Sequence, residues 1–259
     1  MFAVYRGRHS ALALQAGAAT HGHAMINLVI SLLVGLGVFG IFTAIFSAVA
    51  AIAPALIAFA AAYLVLAQRA MKVVTRISEQ AQKEMMAQKV DRALETFRSG
   101  LPLAKKQFLV GPILHANIGT LLYVKRDFEG ARPHLEQGFS RNYLAKAMLG
   151  AYRFKKGDIE GMTKAFEIAV KHGKKDGLVW AVYAWCLDKL GKRDEAMKVL
   201  SRAVETNPSD ERLKTNLQAL QNNKKLKMRA FAPQFYQFHL EPPPPEYAGG
   251  GRRVMYQRR

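Results

Sequence analysis

Trp180–Pro208 reads WAVYAWCLDKLGKRDEAMKVLSRAVETNP, and its pattern decides the fold. Trp180, Tyr183, Ala184 and Leu187 recur at helical spacing, Gly191 interrupts them, and Ala196, Leu200 and Ala203 resume the period until Pro208 ends it. Apolar steps of three and four place each set on one helix face, so the segment is two short amphipathic helices around a tight turn. Ala184 and Ala196 are small where the two backbones must approach, and Leu200 is large where a gap to the next unit must be filled. One such pair cannot bury its own apolar face, which predicts that copies stack.

The copies are present. Gly157-Asp158-Ile159-Glu160 also lies between two helical patterns, and Gly157 precedes Gly191 by 34 residues. Leu149-Gly150, Met162, Phe166 and Ala169 repeat the motif one period earlier. Ile118-Gly119, Leu122, Ala131 and Leu135 give a still earlier copy at the shorter interval of 31, with Arg126 where the others carry the turn glycine. Asp91–Phe97 reads as the second helix of a degenerate unit before that. The period and the order Trp180, Tyr183, Ala184, Gly191, Ala196, Leu200, Pro208 resemble the tetratricopeptide-repeat family. The resemblance covers Lys89–Asn222 and implies an all-α solenoid of three to four helix pairs. Ser209-Asp210-Glu211 opens a capping helix with Leu213, Leu217 and Leu220 as its inner stripe.

In that family the first helix of each pair lines a concave surface that grips a peptide. Carried onto this chain, the surface is Ala116, Thr120 and Tyr123, then Ala147, Ala151 and Phe154, then Ala181, Trp185 and Asp188, flanked by Lys155 and Lys189. The candidate partner-binding residues are Thr120, Tyr123, Phe154, Lys155, Trp185, Asp188 and Lys189. Aromatic anchors beside lysines suit a protein partner with apolar and acidic residues. The Lys/Asn/Arg clamp of the chaperone-tail-binding subtype is replaced here by Ala116, Met148, Leu178 and Val182, which argues against that subtype.

Upstream, Met25–Ala67 reads MINLVISLLVGLGVFGIFTAIFSAVAAIAPALIAFAAAYLVLA, and no Lys, Arg, Asp or Glu occurs between Ala24 and Gln68. A spanning helix needs about 20 apolar residues, so this run predicts a transmembrane hairpin over 25–73, broken within Ser47–Pro54 by the proline. A segment 1–24 precedes it and a juxtamembrane helix, 74–88, follows. Arg6 and Arg8 before the hairpin and Arg69, Lys72 and Arg76 after it predict both termini in the cytoplasm, at a bacterial-type inner membrane. Small residues at Gly37, Gly40 and Ala44, and at Ala58 and Ala62, predict close helix packing.

The formal net charge is +19, which favours anionic partners: anionic lipid, nucleic acid or acidic protein. Residues 223–259 read as a disordered basic tail, with eight basic residues against Glu241 and Glu246 from Lys224 onward, Pro242–Pro245 favouring polyproline II and Gly249–Gly251 flexible. Its aromatics, Phe235, Tyr236, Phe238 and Tyr256, suit lipid headgroups or bases. No metal site, cofactor or catalytic constellation is expected. The seven histidines are scattered, His21-Gly22-His23 supplies two ligands at most, and Gly35, Gly37 and Gly40 fall inside an apolar helix rather than after a strand. Cys186, the single cysteine, reads as packing.

Overall fold

The computed structural model describes residues 26–248. The expectations for segment 1–24, for His21 and His23, for Gly249–Gly251 and for Tyr256 lie outside those residues. The described part is all-α, with no strand among the described residues.

Helix α1 (Ile26–Ile45) and helix α2 (Ala48–Met86) form a tight hairpin. The chain turns at Phe46–Ser47, where the Ser47 hydroxyl accepts from the Ala50 amide and caps α2. The break therefore precedes Pro54, which lies inside the helix. Gly35 carries the close approach: a Cβ there would come within 3.1 Å of Phe59 Cβ. Both helices are long and apolar enough to cross a membrane. Instead of ending near Val73, α2 continues unbroken for 39 residues. No Gly or Pro occurs between Ala55 and Met86 to stop it. Helix α3 (Val90–Ser99) folds back on the polar half of α2, burying Val74, Ala81, Ala93, Leu94 and Phe97. Across that contact the Glu84 carboxylate accepts from the Thr96 hydroxyl at 2.8 Å. A 3₁₀ turn, Leu101–Lys105, leads into α4 (Val110–Val124).

Backbone contacts divide the chain into two compact units between His115 and Ala116, inside α4. The second unit holds the rest of α4, α5 (Phe128–Gln137), α6 (Tyr143–Lys155), α7 (Ile159–His172), α8 (Gly177–Lys189), α9 (Arg193–Thr206) and α10 (Glu211–Gln221). Helices pair where the sequence is small: a Cβ on Gly150 would sit 2.7 Å from the Phe166 ring. That ring stacks in turn on Tyr183, centroids 5.0 Å apart. Ala131, Ala184 and Ala196 are fully buried at equivalent contacts.

One turn recurs five times. Gln88, Arg126, Gly157, Gly191 and Asn223 have φ of 59°, 68°, 74°, 76° and 54°. In each case the next amide bonds the carbonyl five residues back: Lys89 to Glu84, Asp127 to Leu122, Asp158 to Arg153, Lys192 to Leu187 and Lys224 to Ala219. Arg126 thus occupies the turn-glycine conformation as well as its sequence position. The short interval of the first copy has a local cause, since α5 has 10 residues where α7 and α9 have 14. Lys146 substitutes for the missing turn: its buried ammonium donates to the carbonyls of Leu135 (2.9 Å) and Glu136 (3.3 Å) at the end of α5.

The fifth turn leads into 3₁₀ turns rather than into the second helix of a repeat. Residues 224–248 are nevertheless ordered, contrary to the disordered tail expected from composition. Two 3₁₀ turns, Met228–Phe231 and Gln234–Phe238, bury Met228, Phe231, Phe235 and Phe238. These four recur at steps of three and four, so one face is apolar while Lys224, Lys225, Lys227 and Arg229 stay exposed. Burying such a face outweighs the ordering cost that the charge count suggested.

Candidate functional site

The inner face of the second unit is floored by Ala147, Ala151 and Ala181, all fully buried. Small side chains on successive first helices leave a channel, and the chain's own C-terminal segment lies in it. The Arg193 guanidinium fixes the entry by donating to the Lys224 carbonyl at 2.7 Å, and the Asn216 side chain accepts the Lys227 amide at 2.6 Å. Phe231 lies under the Arg212 guanidinium, 4.5 Å from ring centroid to charge. Phe235 meets Trp185 edge-on at 6.0 Å, and Phe154 meets the same indole at 5.7 Å.

The segment then reaches the first clear repeat. The Tyr123 hydroxyl donates to the Phe238 carbonyl at 2.9 Å, and burial pushes the Tyr123 phenol well above its ordinary value. His239 takes a left-handed conformation, φ 51°, which lets its Nε2 reach the Val124 carbonyl at 3.0 Å. Phe128 and Tyr123 pack around the imidazole. Burial is the main cause that lowers the His239 pKa, and Arg126 and Lys155 lower it further. The chain turns there and brings Glu241 back to α8. Its carboxylate accepts from Trp185 Nε1 at 3.1 Å and lies 4.0 Å from the Lys189 ammonium.

Most of the residues expected to bind a partner meet at this one place. Tyr123 and Trp185 grip the segment from α4 and α8. Lys189 pairs with Glu241 and sits 5.1 Å above the Trp185 ring. Lys155 sits 4.1 Å from the Phe128 ring centroid, and burial lowers its pKa. Phe154 is half-buried between repeats, touching Trp185. Two residues do other work. The Thr120 hydroxyl donates to the Ala116 carbonyl of its own helix, and Asp188 faces Arg193 at 3.8 Å, steadying the guanidinium that holds Lys224. Phe128, Arg193, Asn216 and His239 belong to the site and were missed by sequence reasoning. The apolar period of the tail was the signal that pointed to the segment they hold.

Residues 178–220, covering α8, α9 and α10, match the family described as Tetratricopeptide repeat. These residues of the chain form a tetratricopeptide repeat. The matched stretch contains Trp185, Lys189 and Arg193, so the best-defined tetratricopeptide repeat supplies the centre of the groove. The family is one of protein-interaction modules and typically non-enzymatic. Comparison with curated proteins finds no match.

Proposed function

We propose that this protein is a membrane-anchored adaptor that recruits a protein partner to the cytoplasmic face of an inner membrane, through the groove lined by Tyr123, Phe154, Trp185 and Lys189. One observation carries the reading: the groove already holds a polypeptide segment, by two aromatic anchors, a backbone carbonyl and a carboxylate. A partner segment with an aromatic residue, and an acidic residue about six positions further on, reproduces the Phe235 and Glu241 contacts in trans. The apolar, charge-free run through α1 and the first part of α2, followed within α2 by Arg69, Lys72 and Arg76, supports an anchor with both termini inside.

A competing reading, binding of nucleic acid or anionic lipid by the tail, is disfavoured because Phe235 and Phe238 are buried and not offered to bases or headgroups. A photo-crosslinking residue at Phe154, in the full chain in native membranes, tests the proposal. The expected result is an adduct with a second polypeptide that weakens in Trp185→Ala. Adducts confined to the chain's own C-terminal segment would refute partner capture. Reporter fusions at Gly100 and after Arg259 test the anchor, and a signal from the outer side of the membrane at either would refute the topology.

A further inference from the structure

We infer that the segment Leu101–Leu109 is a second membrane contact, lying in the headgroup layer with Phe108 and Leu109 in the hydrocarbon edge and Lys105 and Lys106 on lipid phosphates. The inference rests on the hairpin spanning the bilayer.

A polar knot fixes the depth of this segment. Asn27 Nδ2 donates to Gln107 Oε1 at 3.0 Å, Gln107 Nε2 donates to the Tyr63 hydroxyl at 3.2 Å, and the Asn27 amide donates to the Lys106 carbonyl at 3.3 Å. Asn27 and Gln107 are only 7% and 6% exposed. At about 1.5 Å per residue, Asn27 lies about 27 Å along α1 from Ile45, and Tyr63 about 22 Å along α2 from Ala48. With the hairpin apex at one surface and about 30 Å of hydrocarbon, the knot falls at the opposite boundary. A tyrosine hydroxyl at that level is where interfacial tyrosines sit.

Phe108 and Leu109 directly follow Gln107 and are therefore held at the same level, yet they are 60% and 39% exposed. Lys105 and Lys106 directly precede it and are exposed too. Adjacent apolar and cationic side chains, pinned at the edge of an apolar hairpin and continuous with its exposed surface, match the two chemistries of an anionic bilayer at that depth. An aqueous setting would leave the exposed Phe108 and Leu109 side chains in water.

Depth measurement by nitroxide labelling tests this in the full chain, with Cys186→Ala and one cysteine introduced at Phe108, Ile30 or Gln80. Gln80 is exposed on α2, about 25 Å beyond Tyr63, and supplies the aqueous reference. In vesicles of phosphatidylcholine with phosphatidylglycerol, the label at 108 is expected to be relaxed by oxygen and shielded from a water-soluble nickel chelate, like that at 30. If 108 behaves like 80 while 30 is lipid-embedded, the inference fails alone. If 30 also behaves like 80, the spanning hairpin fails and the inference with it. Lys105→Gln with Lys106→Gln should erase the dependence of the 108 depth on phosphatidylglycerol. An undiminished dependence would overturn the headgroup contact.

Discussion

The Tyr123 hydroxyl donates a hydrogen bond to the Phe238 carbonyl, 115 residues further along the chain. Tyr123 is fully buried, so a side chain at the position where a first helix meets a ligand is satisfied from within the molecule. The groove is occupied by residues 228–241, and the proposed function requires that this segment give way to one from a partner. Phe235 already lies against Trp185, so a partner's aromatic residue at that place would have to displace it.

Phe235→Ala should release the tail without unfolding the repeats. Truncating a buried Phe typically costs about 3–5 kcal/mol, and here the cost falls on a segment that packs on the solenoid but carries none of its helices. Faster hydrogen exchange at residues 228–241, with unchanged protection in α6–α9, is expected. Equal loss of protection in α8 would show that the tail is integral to the repeat core.

Gly150→Ala tests the repeat packing. Its Cβ would sit 2.7 Å from the Phe166 ring, and Phe166 is locked against Tyr183. Tyr183 is itself buried, so the stacked pair has little room to shift. Overpacking of this kind costs about 1–3 kcal/mol. A lowered melting temperature is expected, and an unchanged one would mean that α6 and α7 can separate freely.

Arg126→Gly should stabilise the protein. A non-glycine residue at φ 68° carries left-handed strain of about 1–2 kcal/mol, partly offset by the entropy that glycine adds to the unfolded chain. A net gain of about 0.5 kcal/mol is expected in chemical denaturation. Arg126→Ala, which keeps the strain and removes the same charge, should show no gain. Equal effects of the two variants would assign the change to charge rather than to the turn.

These variants also mark what the sequence disclosed. The helix pairs were legible because Gly150, Gly157, Ala184, Gly191 and Ala196 are small or turn-forming where backbones meet or reverse. The hairpin was legible from the charge-free run before Gln68. The continuity of α2 was harder to see, because Arg69 and Lys72 suggest an end while nothing at Val73 breaks a helix. The tail was misread because net charge was weighed before period: Met228, Phe231, Phe235 and Phe238 make one apolar face despite four nearby cations. Lys146 was invisible because a lysine at a helix–helix contact looks solvated until the shortened α5 exposes carbonyls to it.

Tail docking should weaken on acidification. The folded-state pKa of His239 is lowered by burial, with Arg126 and Lys155 adding to the effect. The unfolded or released tail therefore binds the proton more readily, and docking is lost as pH falls below about 6.5. Protection at residues 228–241 should fall between pH 7.5 and 5.5. His239→Asn, which tolerates the left-handed backbone, should remove the pH dependence. A dependence that persists in this variant would assign it to another group.

The last prediction separates competition from simple attachment. Glu241 contacts Trp185 and Lys189 from the tail side, whereas in the proposed exchange Trp185 would serve either occupant. Glu241→Ala removes a hydrogen bond worth about 1 kcal/mol. While the groove is mostly closed, the apparent affinity for a partner scales with the open fraction. Affinity for the partner captured at Phe154 should therefore rise about fivefold in Glu241→Ala. Trp185→Ala added to that background should lower it about 30-fold, the loss of an aromatic anchor worth about 2 kcal/mol. Unchanged affinity in Glu241→Ala would mean that tail and partner do not share the groove. Retained affinity in the double variant would place the partner on another face of the repeats, leaving the tail as a fixed filling of their inner surface.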